Sequence, residues 1–261
     1  MLAARRPARR PDLALAGGLL AGVVLDAMLG DPRRGHPVAA FGRAAGWLEQ
    51  RAYADDRARG ALYTAACVLA AAAPAAAAHR LTRRRPLARG AAVAAAVWAV
   101  TGARSLRFQA DITRLALDDG DLVAARVLLP GLCSRDPAQL GAKEMARAVV
   151  ESVAENTSDA VVAPLLWGAV AGLPGLAIYR AANTLDAMVG YRSPRYARFG
   201  WAAARLDDVL NWAPARLTAV LAAGCAPLAN GAQAAARPAV SRAGAQLSTS
   251  SSRAAAQPNL K

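Results

Sequence analysis

AVVAPLLWGAVAGLPGLAIY, residues 160–179, is an apolar stretch of twenty residues without a charge. A helix of that length is long enough to span the hydrocarbon core of a bilayer. Pro164 and Pro174 interrupt the stretch, and Gly168 and Gly172 form a GxxxG pattern that favours close helix packing in lipid. Residues 160–179 therefore predict a membrane segment with an internal interruption.

Further apolar runs lie on both sides of this stretch. Residues 13–29 resemble a signal peptide, but Asp26 lies within the run and no clean cleavage site accompanies it, which favours an uncleaved membrane helix. Residues 61–78 are near the minimum length for a span, and the shorter run 91–103 can pair with them as a helical hairpin. Residues 217–229 form a last, weak apolar segment. We predict an all-α, polytopic membrane protein with about four to five membrane segments and no sheet.

Composition supports this class and argues against others. Apolar residues make up 55% of the chain but aromatic residues only 5%, so alanine, leucine and valine supply the hydrophobicity. Small residues suit helix packing in lipid better than they fill a large soluble core. The net charge of +14 comes almost entirely from arginine, which a GC-rich genome explains better than an anionic partner does. Basic residues are scattered among apolar runs, so no nucleic-acid binding is expected.

The chain divides into two regions by composition. Residues 1–229 carry the apolar runs and are predicted to form one membrane-embedded domain. Residues 230–261 are rich in alanine, serine, glutamine and proline without periodicity, and are predicted to be a disordered, low-complexity tail.

The densest polar block is VESVAENTSDAVVAP, residues 150–164. Glu151, Glu155 and Asp159 are spaced i, i+4, i+8 and share one face of a helix. Like charges at that spacing repel unless a cation binds them, and carboxylate oxygens suit Mg²⁺. A solvated helix face is the ordinary explanation of such a run. This stripe continues directly into an apolar span, where spare carboxylates are costly, so we predict a metal site.

A second block is YRAANTLDAMVGYR, residues 179–192. Asn183 and Asp186 share a helix face, and Arg180 and Arg192 lie on either side of them. The alternative is that Asn183 only caps a helix N-terminus.

A third block is ARLDDVLNWAPAR, residues 204–216. Asp207, Asp208 and Asn211 can bind a metal. The two aspartates can equally lie at a helix N-terminus, where the helix dipole favours negative charge.

A fourth block, DAMLGDPRRGHPV at residues 26–38, contains Asp31 and His36. A lone histidine in a loop is more often structural than catalytic. His36 and His79 are the only histidines, which excludes a three-histidine zinc site. No lysine lies in a P-loop pattern.

These blocks together resemble, in order and spacing, the CobD/CbiB family, the adenosylcobinamide-phosphate synthases of cobalamin biosynthesis. The resemblance covers roughly residues 12–225 and is highly specific in its combination of ENxxD, NTLDxM and ARLDD. The matching stretches are GDPRRGHPVAAFG (30–42), VVESVAENTSDAVVAPLLWGAVAGLPG (149–175), YRAANTLDAMVGYR (179–192) and FGWAAARLDDVLNWAPARLTA (199–219).

The resemblance implies a multi-pass ligase of the plasma membrane. Such an enzyme couples ATP hydrolysis to amide formation between adenosylcobyric acid and aminopropanol or its phosphate. A carboxylate is a poor electrophile and is activated most simply by phosphorylation, which needs divalent metal and cationic clamps. Mg²⁺ and ATP are therefore the implied cofactors. The implied partners are a corrinoid, aminopropanol or its phosphate and the lipid bilayer, with other membrane enzymes of the cobalamin pathway as further candidates.

The resemblance also assigns roles to the polar blocks. The implied catalytic residues are Glu151, Glu155, Asn156, Asp159, Asp186, Asp207 and Asp208. The implied substrate-binding residues are His36, Arg180, Asn183, Arg192, Arg205, Asn211 and Arg216. The implied metal ligands are Glu151, Glu155 and Asp159.

Two features depart from the family pattern. Ala187 stands where the family motif NTLDSM has serine. The family continues past the last block with an HPSPN-like motif and a glycine-rich region, where this chain has its low-complexity tail, a pattern expected of a truncation or a shifted reading frame. Two alternatives follow: a non-catalytic AmpE-like membrane sensor, and an inactive, truncated family member. Retention of all three acidic motifs favours the ligase over the sensor.

A single active site requires residues 31–36, 151–159 and 183–211 on one side of the membrane. The family chemistry places that side in the cytoplasm, where nucleotide and corrinoid are found. One crossing by residues 160–179 would separate the last block from the other two. We therefore predict a broken or re-entrant helical pair there, which would bring Glu155 and Asp186 close together. The alternative is an ordinary kinked span.

Overall fold

The computed structural model describes residues 12–31, 35–133 and 136–225. Within these ranges all regular elements are helices, which confirms the predicted all-α class. The stretches long and apolar enough to cross a membrane are Arg57–Thr82, Pro86–Asp118 and Ala142–Val189, and Leu13–Leu29 is a shorter apolar helix. The chain is thus a polytopic helical membrane protein.

We number the helices α1 to α9. They are α1 (Leu13–Leu29), α2 (Pro37–Ala52), α3 (Arg57–Thr82), α4 (Pro86–Val100), α5 (Ala103–Asp118), α6 (Leu122–Leu128), α7 (Ala142–Thr157), α8 (Ala163–Val189) and α9, described over residues 201–225. A short 3₁₀ turn, Leu129–Gly131, follows α6, and a π-helical turn, Ser158–Val162, joins α7 to α8.

Side-chain caps fix where several of these helices begin. Asp12 and Asp56 cap α1 and α3, accepting from the backbone N–H groups of Leu15 and Arg59 at 3.1 and 2.9 Å. Asp26, a buried residue within α1, reaches across the bundle instead. Its Oδ2 accepts from the backbone N–H of Arg104 at 3.3 Å, at the start of α5. Asp26, the residue whose position disfavours a cleaved signal peptide, therefore caps the start of α5.

The GxxxG pattern of α1 forms a helix interface. A methyl group added at Gly18 would lie 2.8 Å from Cβ of Val93, and one added at Gly22 would collide with Val97. Both valines belong to α4. Only glycine permits this approach of the two backbones, the arrangement expected of small residues in lipid.

The chain of α8 reverses direction at Gly172. This glycine has φ 63° and ψ −143°, a non-helical conformation that residues with a β-carbon rarely adopt. Gly175 packs against the carbonyl group of Trp167, and the hydroxyl of Tyr179 lies 3.2 Å from the carbonyl oxygen of Asp159. A straight helix would separate residues twenty positions apart by about 30 Å. The predicted helical hairpin is confirmed, with limbs 163–171 and 173–189.

The hairpin returns the chain to the end of the bundle that it left. Its turn lies beside the end of α3, since a β-carbon at Gly172 would be 3.1 Å from Nδ1 of His79. Asp159 and Asp186 therefore lie together at the opposite end. Within the described residues α1, α3, α4 and the two hairpin limbs run between these ends, in line with the predicted four to five segments.

Helices α5 to α7 pack around an apolar cluster of their own. Its buried members include Ala125, Leu129 and Met145. A different cluster, with Val97 and Leu176, lies in the bundle. The amphipathic α5–α7 segment thus forms a separate layer at the end of the bundle where Asp159 and Asp186 lie.

The chain has two compact units, Met1–Ala215 and Arg216–Lys261. All cavities considered below belong to the first unit. The predicted tail, residues 230–261, and the predicted boundary at residue 229 lie outside the described residues.

Candidate functional site

A cavity of about 610 Å³ opens where α7, the π turn and the second hairpin limb meet. We call it the acidic cavity, because it is lined by three carboxylates and one guanidinium group. Its charged and amide-bearing side chains are Glu155, Asn156, Asp159, Arg180, Asn183 and Asp186. The structure thus brings together residues from two of the motif blocks that the sequence analysis singled out.

The predicted acidic stripe is divided between cavity and surface. Glu155 and Asp159 line the cavity, whereas Oε1 of Glu151 lies 2.7 Å from Nε of Arg147 and Glu151 is not part of the lining. Glu151 and Glu155 both belong to the regular part of α7, and Glu151 lies one helical turn further from the π turn, Ser158–Val162, beyond the lining of the cavity. Across the described ranges, no three His, Cys, Asp or Glu side chains form a ready-made metal site.

Asp207 of α9 joins this region through a chain of hydrogen bonds. Its Oδ2 accepts from Nδ2 of Asn211 at 2.9 Å. The Oδ1 atom of Asn211 lies 2.9 Å from the hydroxyl of Tyr179, the buried tyrosine that also contacts the Asp159 carbonyl. These contacts fix Asp207 and α9 against the hairpin. Burial raises the pKa of Asp207, hydrogen bonds from Asn211 and Asn183 lower it, and the nearby charge of Asp208 raises it.

Several buried polar atoms in or beside the acidic cavity have no hydrogen-bond partner within the described part of the chain. They are Oδ1 of Asp31, Oγ of Ser158, Nε of Arg180 and Oδ1 of Asp207. We include Asp31 among the atoms beside the cavity because its negative charge lies close enough to the Arg180 guanidinium to attract it. Unpaired buried polar atoms are costly. The two carboxylate oxygens suit a cation and the guanidinium Nε suits an anion, so this donor set fits Mg²⁺ together with a phosphate or carboxylate group.

Asn156 fastens a loop to α7. Its Nδ2 donates to the carbonyl oxygen of Ser152 at 2.9 Å and lies 3.4 Å from that of Leu132. The hydroxyl of Ser152 also donates to Leu132, at 2.5 Å. Asn156 therefore positions the loop that lines the cavity opposite the hairpin. Its predicted catalytic role remains a prediction.

His36 is a helix cap. Its Nδ1 accepts from the backbone N–H of Val38 at 3.2 Å, at the start of α2. It does not line the acidic cavity. The structure gives His36 the structural role that the sequence analysis set beside substrate binding.

A second cavity, of about 460 Å³, shares Gly190 and Tyr191 with the first. We call it the basic cavity, because it is lined by three guanidinium groups and one carboxylate. Its charged and aromatic residues are Arg57, Tyr191, Arg192, Tyr196, Trp201, Arg205 and Asp208. Arg192, Arg205 and Asp208 were predicted site residues. Arg216, the remaining predicted arginine, belongs to the second unit and stays a prediction.

Three lining residues of the basic cavity were not predicted as site residues: Arg57, Tyr196 and Trp201. They lie outside the polar blocks or between them, and tertiary packing brings them together. One local signal was available at Arg57, which follows the helix cap Asp56 directly. A cation in the first turn of a helix is disfavoured by the helix dipole and calls for an explanation.

Gly190 forms the partition between the two cavities. A methyl group there would collide with Oδ1 of Asp186 and lie 2.7 Å from its carbonyl oxygen. The Asp186 carboxylate is therefore packed directly against the glycine. Any side chain at position 190 must displace it.

A polar cluster holds the far side of the basic cavity. The hydroxyl of Tyr196 donates to Oε1 of Glu49 at 2.8 Å, and Nη2 of Arg195 lies 3.1 Å from the same oxygen. The guanidinium of Arg195 also stacks over the ring of Tyr53 at 4.1 Å. Partial burial and the hydrogen bond to Glu49 raise the pKa of Tyr196, which keeps its hydroxyl protonated as a donor. The loop between α8 and α9 is thereby tied to α2.

Comparison with known proteins gives a match to the family model described as CobD/Cbib protein, over residues 19–259. The chain belongs to the CobD/CbiB family. The three relatives described below are each named Cobalamin biosynthesis protein CobD. That of Mycobacterium tuberculosis strain H37Rv is 56% identical over 198 residues, which cover 75% of this chain and 62% of the relative. That of Chromobacterium violaceum is 46% identical over 194 residues, covering 72% of this chain and 62% of the relative.

A more distant family relative, from Pelobacter propionicus, is 41% identical over 194 residues, covering 72% of this chain and 60% of its own length. The chain thus matches about three fifths of the length of these curated relatives. No solved structure matches the chain.

Proposed function

We propose that this chain acts in cobalamin biosynthesis as an ATP-dependent ligase. In this proposal it forms an amide between a carboxylate of adenosylcobyric acid and aminopropanol or its phosphate, giving adenosylcobinamide or its phosphate. The observation that carries the proposal is the acidic cavity, which is lined by Glu155, Asp159, Asp186 and Arg180. The Nε atom of Arg180 is unpaired there, and unpaired carboxylate oxygens of Asp31 and Asp207 lie beside the cavity. Membership of the CobD/CbiB family and the names of the curated relatives support the same pathway.

Mg²⁺ and ATP, when bound, supply activation of the substrate carboxylate and neutralisation of its charge. Asp159 and Asp207 are the residues that we assign to holding the cation. Arg180 is assigned to holding an anionic oxygen, because a charge-assisted hydrogen bond from a guanidinium group suits phosphate and carboxylate alike.

The amine can attack an activated carboxylate only as its free base. We assign the Asp186 carboxylate to accepting the proton that the ammonium group loses, because it lies at the partition formed by Gly190 and lines the acidic cavity. The hairpin and the loop fastened by Asn156 enclose this position on two sides, which limits hydrolysis of an activated intermediate by water.

We place the site on the cytoplasmic side of the plasma membrane, next to nucleotide and corrinoid, with other membrane enzymes of the pathway as neighbours. Thr157→Cys and Tyr191→Cys, each in a background lacking Cys67, Cys133 and Cys225, are to be treated with a membrane-impermeant maleimide. Both should react in inverted vesicles and neither in intact cells. Reaction in intact cells would contradict the cytoplasmic assignment.

The ligase is tested with the full chain in lipid nanodiscs, supplied with adenosylcobyric acid, Mg²⁺–ATP and either amine. Mass spectrometry should detect the amide product, and nucleotide hydrolysis should depend on the corrinoid. Asp207→Asn should lower kcat/KM by about 100-fold or more, the scale of losing one group that stabilises charge in a transition state. The matched control is Asp118→Asn, an exposed carboxylate 2.6 Å from Arg114, where little change is expected. A parent protein that makes no product with either amine would refute the ligase.

A further inference from the structure

The basic cavity has an excess of positive charge that the described residues do not neutralise. Its lining holds three arginines and one aspartate. Arg205 is 3.7 Å from Asp208, but Arg57 and Arg192 form no ion pair with any residue that the structure describes. Three guanidinium groups around one space repel one another unless an anion enters.

Two helix N-termini lie at this cavity, and the Asp56 carboxylate that caps α3 offsets part of the positive potential of the first. Helix α3 begins at Arg57, and α9 begins at Trp201. The indole Nε1 of Trp201 donates to the backbone carbonyl of Arg57 at 2.9 Å, which fixes the two helix starts beside each other. The first turn of a helix carries unpaired N–H groups and a partial positive charge. Here that potential coincides with arginines, the side chains best suited to bidentate contact with phosphate.

Among the described residues, the lining of the neighbouring acidic cavity has the opposite excess, with three carboxylates and one arginine. Only the Gly190–Tyr191 segment is shared between them. A small molecule with a positive end and a negative end can therefore place each end in a cavity of opposite charge. A phosphorylated amino alcohol has this distribution, with an ammonium group at one end and a phosphate at the other.

We propose that the basic cavity is a phosphoryl-anion subsite, in which Arg57, Arg192 and Arg205 hold a phosphate group whose molecule extends past Gly190 into the acidic cavity. This inference rests on the proposed function and adds a location for the phosphate. Two ligands of the reaction carry this chemistry: the phosphate monoester of the amine, and the polyphosphate of the nucleotide. The position of the carboxylates beyond the partition fits the monoester, whose amine must reach them.

Binding is measured without turnover, by calorimetry on the full chain in nanodiscs. The titrants are aminopropanol phosphate, free aminopropanol and a non-hydrolysable ATP analogue with Mg²⁺. Arg57→Gln and Arg192→Gln are compared with Arg59→Gln, a matched control on an exposed arginine of the same helix that does not line the cavity. We expect aminopropanol phosphate to bind the two cavity variants about tenfold or more weakly than the control, as the loss of a charge-assisted hydrogen bond predicts.

The same titrations distinguish the source of the phosphate. Weaker binding of the monoester alone assigns the subsite to the amine substrate, and weaker binding of the ATP analogue alone assigns it to the nucleotide. Either result supports a phosphoryl subsite. If both cavity variants bind both ligands as the Arg59→Gln control does, the subsite does not exist.

The outcome is separable from that of the proposed ligase. A chain that forms no amide but loses monoester affinity in Arg57→Gln would refute the ligase and keep the subsite. If the parent enzyme is active and both cavity variants bind the monoester and the ATP analogue as tightly as the control, the subsite is refuted and the ligase is kept. Arg192 lies in an exposed segment between helices, so its substitution tests binding with little effect on folding.

Discussion

The acidic and basic cavities share one short segment but are built in different ways. Beside the acidic cavity, Tyr179 is fully buried and Asp207 is held by Asn211, so the Asp207 carboxylate is fixed by a hydrogen-bond chain. In the basic cavity, the Arg205 side chain is 77% exposed and its nearest carboxylate is 3.7 Å away. Charges are strong where they are buried and preorganised, and are screened where water and salt reach them. The two cavities should therefore respond to substitution, pH and salt on different scales.

The two cavities differ in burial because different structural elements form them. The acidic cavity depends on the hairpin, which brings residues twenty or more positions apart into one packed cluster. The basic cavity depends on the starts of two helices and on a loop, all at the surface. A packed hairpin can exclude water and hold a proton-transfer group in place, whereas a surface cluster is suited to attracting and orienting an anion.

The largest effect is expected where the two cavities meet. Gly190→Ala should lower kcat/KM by about 100-fold, because the added methyl group displaces the Asp186 carboxylate from the partition and acts on both cavities at once. The methyl group would also lie 2.7 Å from the Asp186 backbone carbonyl oxygen, so the unfolding temperature should fall as well, and activity is compared at a temperature where both proteins remain folded. The assay is amide formation together with monoester binding.

Gly42→Ala is the matched control for this substitution. A methyl group at Gly42 would lie 4.0 Å from Sδ of Met188, an ordinary contact, so activity should be retained. Full activity in Gly190→Ala would show that the partition is not needed and that the two cavities act independently.

A smaller effect is expected from pH, and it should act through the Asp207 carboxylate beside the acidic cavity. Burial raises the pKa of Asp207 above that of an ordinary aspartate. The charged carboxylate is thus disfavoured in the native state, so stability without Mg²⁺ should rise as pH falls through the raised pKa. On the same descent the Mg²⁺ concentration for half-maximal activity should increase by about tenfold per pH unit, because a protonated carboxylate is a poor ligand.

The pH effect on Mg²⁺ is measured as half-saturation in the parent and in Asp207→Asn. The variant should show a flatter pH dependence. An equal slope in both proteins would remove Asp207 from the metal site.

The sequence predicted the fold well where local rules are strict. Prolines and glycines in residues 160–179, together with the need for a single site, predicted the hairpin, and the structure places its turn at Gly172. Apolar runs predicted α1, α3 and α4, and the structure packs Gly18 and Gly22 of α1 against α4. In each case the signal is the backbone conformation or packing distance that a particular residue type allows.

The site was predictable only in part, because side-chain direction depends on register and tertiary contact. The i, i+4, i+8 stripe placed Glu151 with Glu155 and Asp159, but the cavity ends one turn before Glu151, which pairs with Arg147 instead. Arg57 could not be assigned to the site from spacing, since it lies more than a hundred residues from the blocks that it joins. Loops and helix starts converge only in the folded chain.

The smallest effect is expected at Arg205. Its guanidinium is exposed and lies 3.7 Å from the Asp208 carboxylate, so part of its charge is offset before any anion binds. Arg57 and Arg192 are also exposed, so salt screens all three charges, with a screening length of about 10 Å at moderate ionic strength, and the offset by Asp208 is what distinguishes Arg205. Arg205→Gln should therefore weaken aminopropanol phosphate binding by only about threefold at low salt, less than Arg57→Gln or Arg192→Gln, and the difference from the parent should vanish as salt is raised. Calorimetry at two salt concentrations measures the affinity of each variant and its dependence on salt.

Asp208→Asn should act in the opposite direction, tightening monoester binding slightly, because it removes the carboxylate that competes with the phosphate for Arg205. A loss in Arg205→Gln as large as that in Arg57→Gln, and resistant to salt, would mean that the basic cavity is closed and preorganised like its acidic neighbour when substrate is bound.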